Sequence, residues 1–325
     1  MMNEIMKINL DRLAPVAVYT HTRYSHLVQT LESLKNNFLA PYSVLYVVSD
    51  APKVESHKDA VRRIREYVDN LTGFKEVVRI YRDKNFGLKL SLPMAEEAII
   101  GDHGTIINME DDNISSRNYL DFMNGGLQYF QNDFSVYSVS GYRPPIQSSK
   151  IDDDSDIWFY PWNMSWGYAL WKSKYDRFHP LINNYPLLRK TGKLQEQNKA
   201  GGLYVSDSLK RDYEGKKYFP DAILGTEMFL ARMKTVVPVV SKIRNIGQDG
   251  SGQSSSMVTD KYDGELDSSG KRCFNFTSES SCADLYRANA RVFYNGGFLT
   301  RISRRAGIYH EFSSLRAKWS LRVRA

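Results

Sequence analysis

Short apolar segments alternate with amphipathic segments along the first third of the chain, and this alternation limits the fold more than any other feature. The apolar segments are Val16–Tyr19, Val44–Val48, Val77–Tyr81 and Thr105–Met109. Between them, apolar residues recur every three or four positions, as on one face of a helix. Apolar strands need cover on both faces, which intervening helices provide. The pattern therefore predicts an α/β fold with a mostly parallel sheet flanked by helices, whose ligands bind at the carboxyl ends of the strands.

Composition narrows the class further. The 325 residues are 42% hydrophobic and 25% charged, with a formal net charge of +7. These are ordinary globular values, and they exclude a disordered chain, a collagen-like chain and a disulfide scaffold. Because no run of about 18 apolar residues and no secretory signal is present, we expect a cytoplasmic protein without a membrane span. Cys273 and Cys282 are then expected to be free thiols.

An acidic triplet, Glu110-Asp111-Asp112, directly follows the fourth apolar segment. Three carboxylates at one sheet edge repel one another, and a divalent cation relieves that repulsion. Mg²⁺ and Mn²⁺ prefer oxygen ligands and commonly bridge protein carboxylates to substrate phosphates. The triplet therefore indicates a cation site. The alternative is a solvated acidic turn that caps the following helix.

Polar residues follow the first three strands as well, and we expect them to converge on the same cleft. Arginine, lysine and backbone N–H groups at helix starts suit a diphosphate, and an aspartate can accept a hydrogen bond from a base or ribose. The alternative is ordinary turn and capping chemistry. The candidate residues at these strand ends for binding the diphosphate and the base or ribose of a nucleotide are Thr20, Arg23, Asp50, Asn85, Gly87 and Lys89.

Four of the five tryptophans lie between positions 158 and 171. Tryptophan faces stack on sugar rings or bases, and a glycine lets a ligand approach the backbone. Trp162, Trp166 and Gly167 are therefore candidate acceptor-binding or sugar-binding residues, with core packing as the alternative.

Two acids, Asp221 and Glu227, flank an apolar segment further along the chain. Either is a candidate general base for a hydroxyl nucleophile. Acids six positions apart on a helix do not share a face, so at most one of them is expected to be catalytic.

Several other chemistries are disfavoured. The sequence contains no phosphate-binding P-loop, no Gly-x-Gly-x-x-Gly segment after a strand and no Gly-x-Ser-x-Gly elbow. The six histidines form no metal-spaced set with the cysteines. Basic residues are not dispersed with aromatic residues over one face, so nucleic-acid binding is not predicted.

Taken in order, the motifs resemble those of GT-A-fold glycosyltransferases that use nucleotide-sugar donors, in particular N-acetylglucosaminyltransferase I and related bacterial sugar transferases. The resemblance extends from about Pro15 to Gly252. It includes the acidic triplet, the Gly-Trp segment near Trp166 and the segment Asn245-Ile246-Gly247, which is similar to the family's closing loop.

The resemblance implies a GT-A, Rossmann-like fold with a C-terminal acceptor-side region. It implies Mn²⁺ or Mg²⁺ on Asp112, with Glu110 and Asp111 helping to bind the donor. It also implies inverting displacement, in which Asp221 takes the proton from the acceptor hydroxyl and Glu227 is its rival. The implied division is a donor-binding half over 1–140, an acceptor-side half over 141–284 and a basic helical tail over 285–325.

The expected activity is metal-dependent transfer of a sugar from a nucleotide donor, with UDP favoured, to a hydroxyl of a glycan or lipid-linked acceptor in bacterial surface-polysaccharide synthesis. One alternative is a sugar-1-phosphate nucleotidyltransferase. Those enzymes carry a glycine-rich stretch ending in arginine, and Thr20 to Arg23 has no glycine. The other alternative is a non-enzymatic carbohydrate-binding protein, which leaves the acidic triplet unexplained.

Most of the net charge lies in the last 25 residues. Positions 301–325 carry seven arginines and lysines against one glutamate, which is +6 of the total +7. Apolar residues recur there at steps of three and four, which is typical of a basic amphipathic helix on an anionic membrane surface. The segment predicts peripheral binding to the inner face of the plasma membrane, with a helix docked on the catalytic domain as the alternative.

Overall fold

A computed structural model of the chain describes residues 8–146, 155–201, 203–252, 259–277, 288–289, 292–294 and 298–305. In these segments one eight-stranded sheet has the strand order β3 (Glu76–Tyr81), β2 (Val44–Ser49), β1 (Val16–Thr20), β4 (Thr105–Glu110), β8 (Tyr168–Trp171), β6 (Val136–Ser140), β9 (Lys234–Pro238) and β7 (Ile157–Tyr160). Six strands share one direction, and only β7 and β8 run antiparallel to their neighbours. The predicted α/β fold with a mostly parallel sheet flanked by helices is confirmed.

A second, two-stranded sheet pairs β5 (Asn113–Ser115) with β10 (Ile243–Asn245). The helices are α1 (Tyr24–Lys35), α2 (Lys58–Asp69), α3 (Leu88–His103), α4 (Tyr119–Tyr129), α5 (Lys172–Phe178), α6 (Tyr185–Lys190), α7 (Lys193–Gly201), α8 (Leu203–Tyr213) and α9 (Pro220–Leu230), with a further helix over Phe298–Arg305.

The all-apolar strands are covered on both faces, as the sequence requires. On β1, Val16 and Val18 join the core cluster that includes α1, α2 and α4. Ala17 and Tyr19 point the other way and join the cluster that includes α3, α5 and α9. Because successive side chains of a strand alternate between faces, a continuous apolar run is stable only in the middle layer of such a three-layer arrangement.

Buried polar groups joined by hydrogen bonds lie on the face of the sheet that α3, α5 and α9 cover. The hydroxyl group of Tyr19 donates to Asn108 Oδ1 at 2.8 Å, and Asn108 Nδ2 donates to Glu96 Oε1 at 2.7 Å. Tyr168 donates to the same glutamate oxygen at 3.0 Å. Burial raises the pKa of Glu96 to about 7, although the two hydrogen bonds oppose that shift. The network therefore holds a titratable group against the middle of the sheet.

The described residues between positions 141 and 225 form β7, β8, α5, α6, α7, α8 and the start of α9. Strands from both sides of position 140 join the same sheet, while the division at 140 and 284 stays a prediction.

Within the described segments, no helix is long and apolar enough to cross a membrane. Cys273 is exposed and unpaired, whereas Cys282 and positions 306–325 of the predicted amphipathic tail lie outside the described residues.

Candidate active site

The site forms where the strand order changes direction. After β1 the chain builds β2 and β3 on one side, and β4 then returns to the other side of β1. Tyr19 is in register with Glu110 on the parallel neighbour, so Thr20–Arg23 and the acidic triplet leave the sheet side by side. Ligand sites of open α/β sheets occur at this kind of switch point.

Arg23 contacts two carboxylates of the triplet. Its Nη2 atom is paired with Asp111 Oδ1 and lies 2.8 Å from Asp112 Oδ2. Thr20 Oγ1 donates to the other oxygen of Asp111 at 3.1 Å. Burial raises the pKa of Asp111, while the positive charge of Arg23 acts in the opposite direction. The guanidinium group therefore offsets part of the negative charge at this edge and holds two carboxylates in fixed positions.

Residues near position 245 also hold Asp112 in place. Pairing of β10 with β5 places Asn245 beside Asn113, and Asn245 Nδ2 donates to Asp112 Oδ1 at 2.7 Å. The backbone N–H of Ile246 donates to the carbonyl oxygen of Asp112 at 2.8 Å. A Cβ atom at Gly247 would lie 1.9 Å from Asp112 Oδ2. Only glycine therefore lets this loop approach so closely.

The raised pKa of Glu110 reflects burial and the crowding of negative charges at this edge of the sheet. Burial raises its pKa to about 8, and the negative charges of Asp112, Asp221 and Asp111 add to that effect. Arg23 opposes it only in part. The triplet and Asp221 therefore share one electrostatic environment with excess negative charge.

Asp221 is the second residue of α9, directly after Pro220. It is exposed at the surface, yet the surrounding protein desolvates its carboxyl group and raises its pKa, as on the wall of a cleft. Ser165 Oγ donates to Asp221 Oδ2 at 3.5 Å and opposes the rise. Such a carboxylate is accessible and has a proton affinity closer to neutral pH, which suits a general base.

Glu227 lies on the same helix but in a different environment. Six positions of α-helix separate it from Asp221 by about 120° around the axis. The side chain is half-buried, and burial raises its pKa. Asp221, and not Glu227, is among the charges that act on Glu110. The charge of Asp221 thus acts on the acidic triplet, and the choice between Asp221 and Glu227 as the base stays a prediction.

The donor set suits a cation that takes only part of its ligands from protein. In the described residues, no group of three or more His, Cys, Asp and Glu side chains is placed to hold a metal ion. Mg²⁺ usually binds through one or two carboxylates and completes its octahedron with water and substrate phosphates. Asn245 and Arg23 hold the carboxylate of Asp112 in place. Glu110 lies among negative charges that Arg23 offsets only in part. Asp112 and Glu110 fit a cation that bridges to a diphosphate.

Asp50 has a different immediate role from the predicted contact with a base or ribose. Its Oδ1 accepts hydrogen bonds from the backbone N–H groups of Ala51 at 2.9 Å and Phe86 at 3.1 Å. Its Oδ2 accepts from the backbone of Gly87 at 2.8 Å and from Asn85 Nδ2 at 3.1 Å. Four donors fill the usual capacity of a carboxylate. Asp50 therefore shapes the loop that starts α3, and Asn85 and Gly87 are its partners.

Lys89 lies between this loop and the residues that precede α9. It lies exposed in the first turn of α3, and its Nζ atom is 5.1 Å from the ring centre of Tyr218. Tyr218 precedes Asp221 by three residues, so the ammonium group of Lys89 lies near the start of α9. Tyr218 was not among the residues predicted from the sequence, although an aromatic residue just before the Phe-Pro-Asp segment was a usable signal.

The two candidate tryptophans contribute mainly to packing. A Cβ atom on Gly225 of α9 would lie 2.5 Å from the Trp162 ring, so that ring lies directly against the helix. Trp166 is half-buried and meets Tyr142 and Tyr262 edge to face, with ring centroids 4.7 and 5.5 Å apart. Both rings help to fix the elements around Asp221 in position, and contact with a saccharide stays a prediction.

Gly167 is explained by packing rather than by ligand approach. Its φ of +61° favours glycine. A Cβ atom there would meet Ile243 Cγ1 at 2.7 Å and the Tyr119 hydroxyl oxygen at 3.0 Å. Protein side chains occupy the space that a side chain at this position would need, so packing explains the glycine, and its contact with a saccharide stays a prediction.

Comparisons with known proteins give distant structural similarity only. No protein-family model and no curated protein matches the chain. Among solved structures, GalNAc-T7 with UDP, GalNAc and Mn²⁺ has a TM-score of 0.43 at 9% identity, over 69% of this chain and 42% of that one. TarS of S. aureus has a TM-score of 0.40 at 9% identity, over 72% of this chain and 37% of TarS.

A third structure is the mannosyltransferase PcManGT from Pyrobaculum calidifontis in complex with GDP-Man and Mn²⁺. Its TM-score is 0.38 at 15% identity, over 67% of this chain and 69% of that one. The chain thus spans less than half the length of TarS and of GalNAc-T7. At this level of similarity, the chain's own residues carry the argument for function.

Proposed function

We propose that the protein is a glycosyltransferase that moves a sugar from a nucleotide donor, with UDP favoured, to a hydroxyl group of a glycan or lipid-linked acceptor. The proposal rests on one observation at the switch point of the sheet. Arg23 pairs with Asp111 and Asp112, and the charge of Asp221 acts on Glu110 of the same triplet. One surface there combines a candidate base, a candidate cation site and a fixed guanidinium group. A simple sugar-binding site has no use for this combination.

Arg23 and the triplet support binding of the donor diphosphate. A guanidinium group has five N–H donors, so Arg23 can keep its carboxylate partners and still donate to a phosphate oxygen. Asp112 would hold Mn²⁺ or Mg²⁺, with Glu110 beside it. When bound, such a cation supplies Lewis-acid neutralisation of the departing diphosphate.

Asp221 would remove the proton from the acceptor hydroxyl as that oxygen attacks the anomeric carbon. Its raised pKa improves its match to neutral pH, and Ser165 fixes one of its oxygens. With the base and the diphosphate on opposite sides of the sugar, displacement inverts the anomeric configuration. Alignment of donor and acceptor supplies a further part of the rate.

A donor screen tests the proposal directly. The full chain is incubated with UDP-, GDP- and dTDP-sugars and Mn²⁺ or Mg²⁺, and release of the nucleoside diphosphate is measured together with the thermal shift of the protein. We expect one donor class to give both signals, and Asp112→Asn to lose them. Absence of any response from all three classes would reject a nucleotide-sugar transferase.

The division of labour between segments and the cellular setting are part of the same proposal. Residues 1–140 would bind the donor and residues 141–284 the acceptor, in surface-polysaccharide synthesis at the cytoplasmic face of a membrane. The basic composition of positions 301–325 supports peripheral binding to anionic lipid. Co-sedimentation of the full chain and of a 1–300 form with phosphatidylglycerol vesicles tests the membrane contact, and equal binding would reject it.

A further inference from the structure

The segment from position 181 to 220 forms a basic helical insertion immediately before Asp221. It contains α6, α7 and α8 and carries eight arginines and lysines against four acids, a net charge of +4. Its helices share an apolar cluster with the start of α9, through Leu188, Leu209, Ala222 and Ile223 among others. The insertion is therefore a concentrated positive region packed against the helix that carries the candidate base.

An open cleft lies between the first and last helices of this insertion. Tyr185, Pro186, Arg189, Lys190 and Tyr213 line a volume of about 580 Å³. The two tyrosine rings lie 6.0 Å apart with an angle of 36° between their planes. Arg189 and Lys190 are exposed, and neither forms an ion pair with an acid in the described segments. The cleft thus offers two aromatic faces and two uncompensated positive charges.

Hydrogen bonds to Asp212 connect the cleft to α9, the helix that carries the candidate base. Asn183 Nδ2 donates to Asp212 Oδ2 at 2.8 Å, and Asp212 Oδ1 accepts from the backbone N–H of Phe219 at 2.9 Å. Phe219 is the residue that caps the start of α9, two positions before Asp221. Asp212 is the chain neighbour of Tyr213 in the cleft. A molecule bound there is therefore held at a defined position relative to the candidate base.

We propose that this cleft binds an anionic segment of the acceptor glycan, so that the acceptor carries carboxylate or phosphodiester groups along its chain. The inference rests on the proposed function, because it assigns the acceptor class of that same site. A guanidinium group binds carboxylate and phosphate oxygens in pairs, and an ammonium group adds a second point charge. Tyrosine rings present apolar faces to the C–H faces of a sugar ring and keep a polar tip in water. A neutral glycan needs no such pair of charges.

Binding of defined oligomers to the full chain, without nucleotide, tests the cleft. The probes are hexagalacturonate, its fully methyl-esterified and therefore neutral form, and a glycerol phosphate hexamer, each measured by titration calorimetry at low salt. The first and third probes separate carboxylate from phosphodiester as the recognised group. Vesicles with and without phosphatidylglycerol form a further arm, which detects a lipid surface as the occupant.

Two variants and a matched control locate the binding. Arg189→Gln with Lys190→Gln removes both charges of the cleft, and Tyr213→Ser removes an exposed ring while leaving those charges in place. Lys58→Gln with Arg62→Gln removes the same charge from the exposed face of α2. Since the substituted side chains are exposed, thermal unfolding is expected to stay close to that of the parent chain.

We expect at least one anionic hexamer to bind about tenfold more tightly than the neutral ester, and this preference to disappear in the Arg189 and Lys190 variant but not in the α2 control. Tyr213→Ser should weaken both the acidic and the esterified galacturonate. Equal affinity for the acid and ester forms without binding of the phosphate hexamer, or unchanged binding in the cleft variant, would overturn the proposal. Binding to anionic vesicles alone, lost in that variant, would overturn it in favour of a lipid surface. Because no nucleotide is present, failure here is separate from failure of the donor screen.

Discussion

Replacing Gly247 with alanine should separate catalysis from stability in this protein. The added Cβ atom would lie 1.9 Å from Asp112 Oδ2, and Cβ atoms do not approach other atoms closer than 3.0 Å. The loop or the carboxylate must therefore move by at least about 1.1 Å. Either movement disturbs the contacts of Asp112 with Asn245 and Arg23.

Misplacement of a reacting group by about 1 Å can lower turnover by about a hundredfold. The cost in stability is smaller, because overpacking typically reduces the free energy of unfolding by about 1–3 kcal/mol. In a chain of this length that corresponds to a fall in Tm of about 2–5 °C. We therefore expect a folded protein with little remaining activity.

The assay measures nucleoside diphosphate release with the donor found in the screen, and the concentration of free Mn²⁺ by electron paramagnetic resonance. Gly101→Ala is the matched control, because the added Cβ atom meets nothing within 4 Å on α3. It should keep full turnover and gain about 0.5–1 kcal/mol of stability. A Gly247→Ala protein that binds Mn²⁺ and turns over as fast as the parent chain would refute the assigned role of this loop.

Three further predictions concern single side chains. Asp221→Asn should lose turnover while retaining donor affinity in a titration, whereas Glu227→Gln should keep most of its rate; the opposite pattern would make Glu227 the base. Asn245→Ala removes the amide that orients Asp112, so Mn²⁺ affinity measured by paramagnetic resonance should fall about 10–100-fold, and unchanged affinity would contradict that orientation. Burial raises the pKa of Glu96 from 4.5 to about 7, so the folded protein keeps a proton that the unfolded chain loses in this interval. The free energy of unfolding by urea should therefore fall as pH rises from 4.5 to 7, and Glu96→Gln should flatten that dependence; an unchanged slope would exclude Glu96 as its source.

The first four strands and the helices between them were predictable because each carries its own periodic signal. Val16–Thr20 is apolar on both faces, and the helix after it repeats apolar residues at helical spacing. The position of β8 between β4 and β6 was not predictable, since Tyr168–Trp171 pairs with strands far away in sequence. Local patterns do not encode that choice of neighbour. The helices of the basic insertion were missed for a related reason, because short helices give weak periodicity.

The acidic triplet was recognisable because few environments tolerate carboxylates at the end of a buried strand. Asp221 was singled out by its place beside an apolar segment and by the resemblance to glycosyltransferases. Asp50 and Gly167 were harder to interpret, because a polar residue or a glycine at a strand end serves ligands and turns equally well. The deciding facts are spatial: four donors surround the carboxylate of Asp50, and Ile243 fills the space beside Gly167. Neither fact leaves a mark in the local sequence.

The contact between Asn245 and Asp112 also has a consequence for synthesis of the protein. The two residues are 133 positions apart, and a ribosome that adds about 5–20 residues per second needs roughly 7–27 seconds to reach the second after the first. During that interval the growing chain carries the whole acidic triplet, with Arg23 as its only neutralising partner among the contacts described above. A chain interrupted between positions 112 and 245 therefore keeps every carboxylate of the triplet but lacks the amide that fixes Asp112 in place.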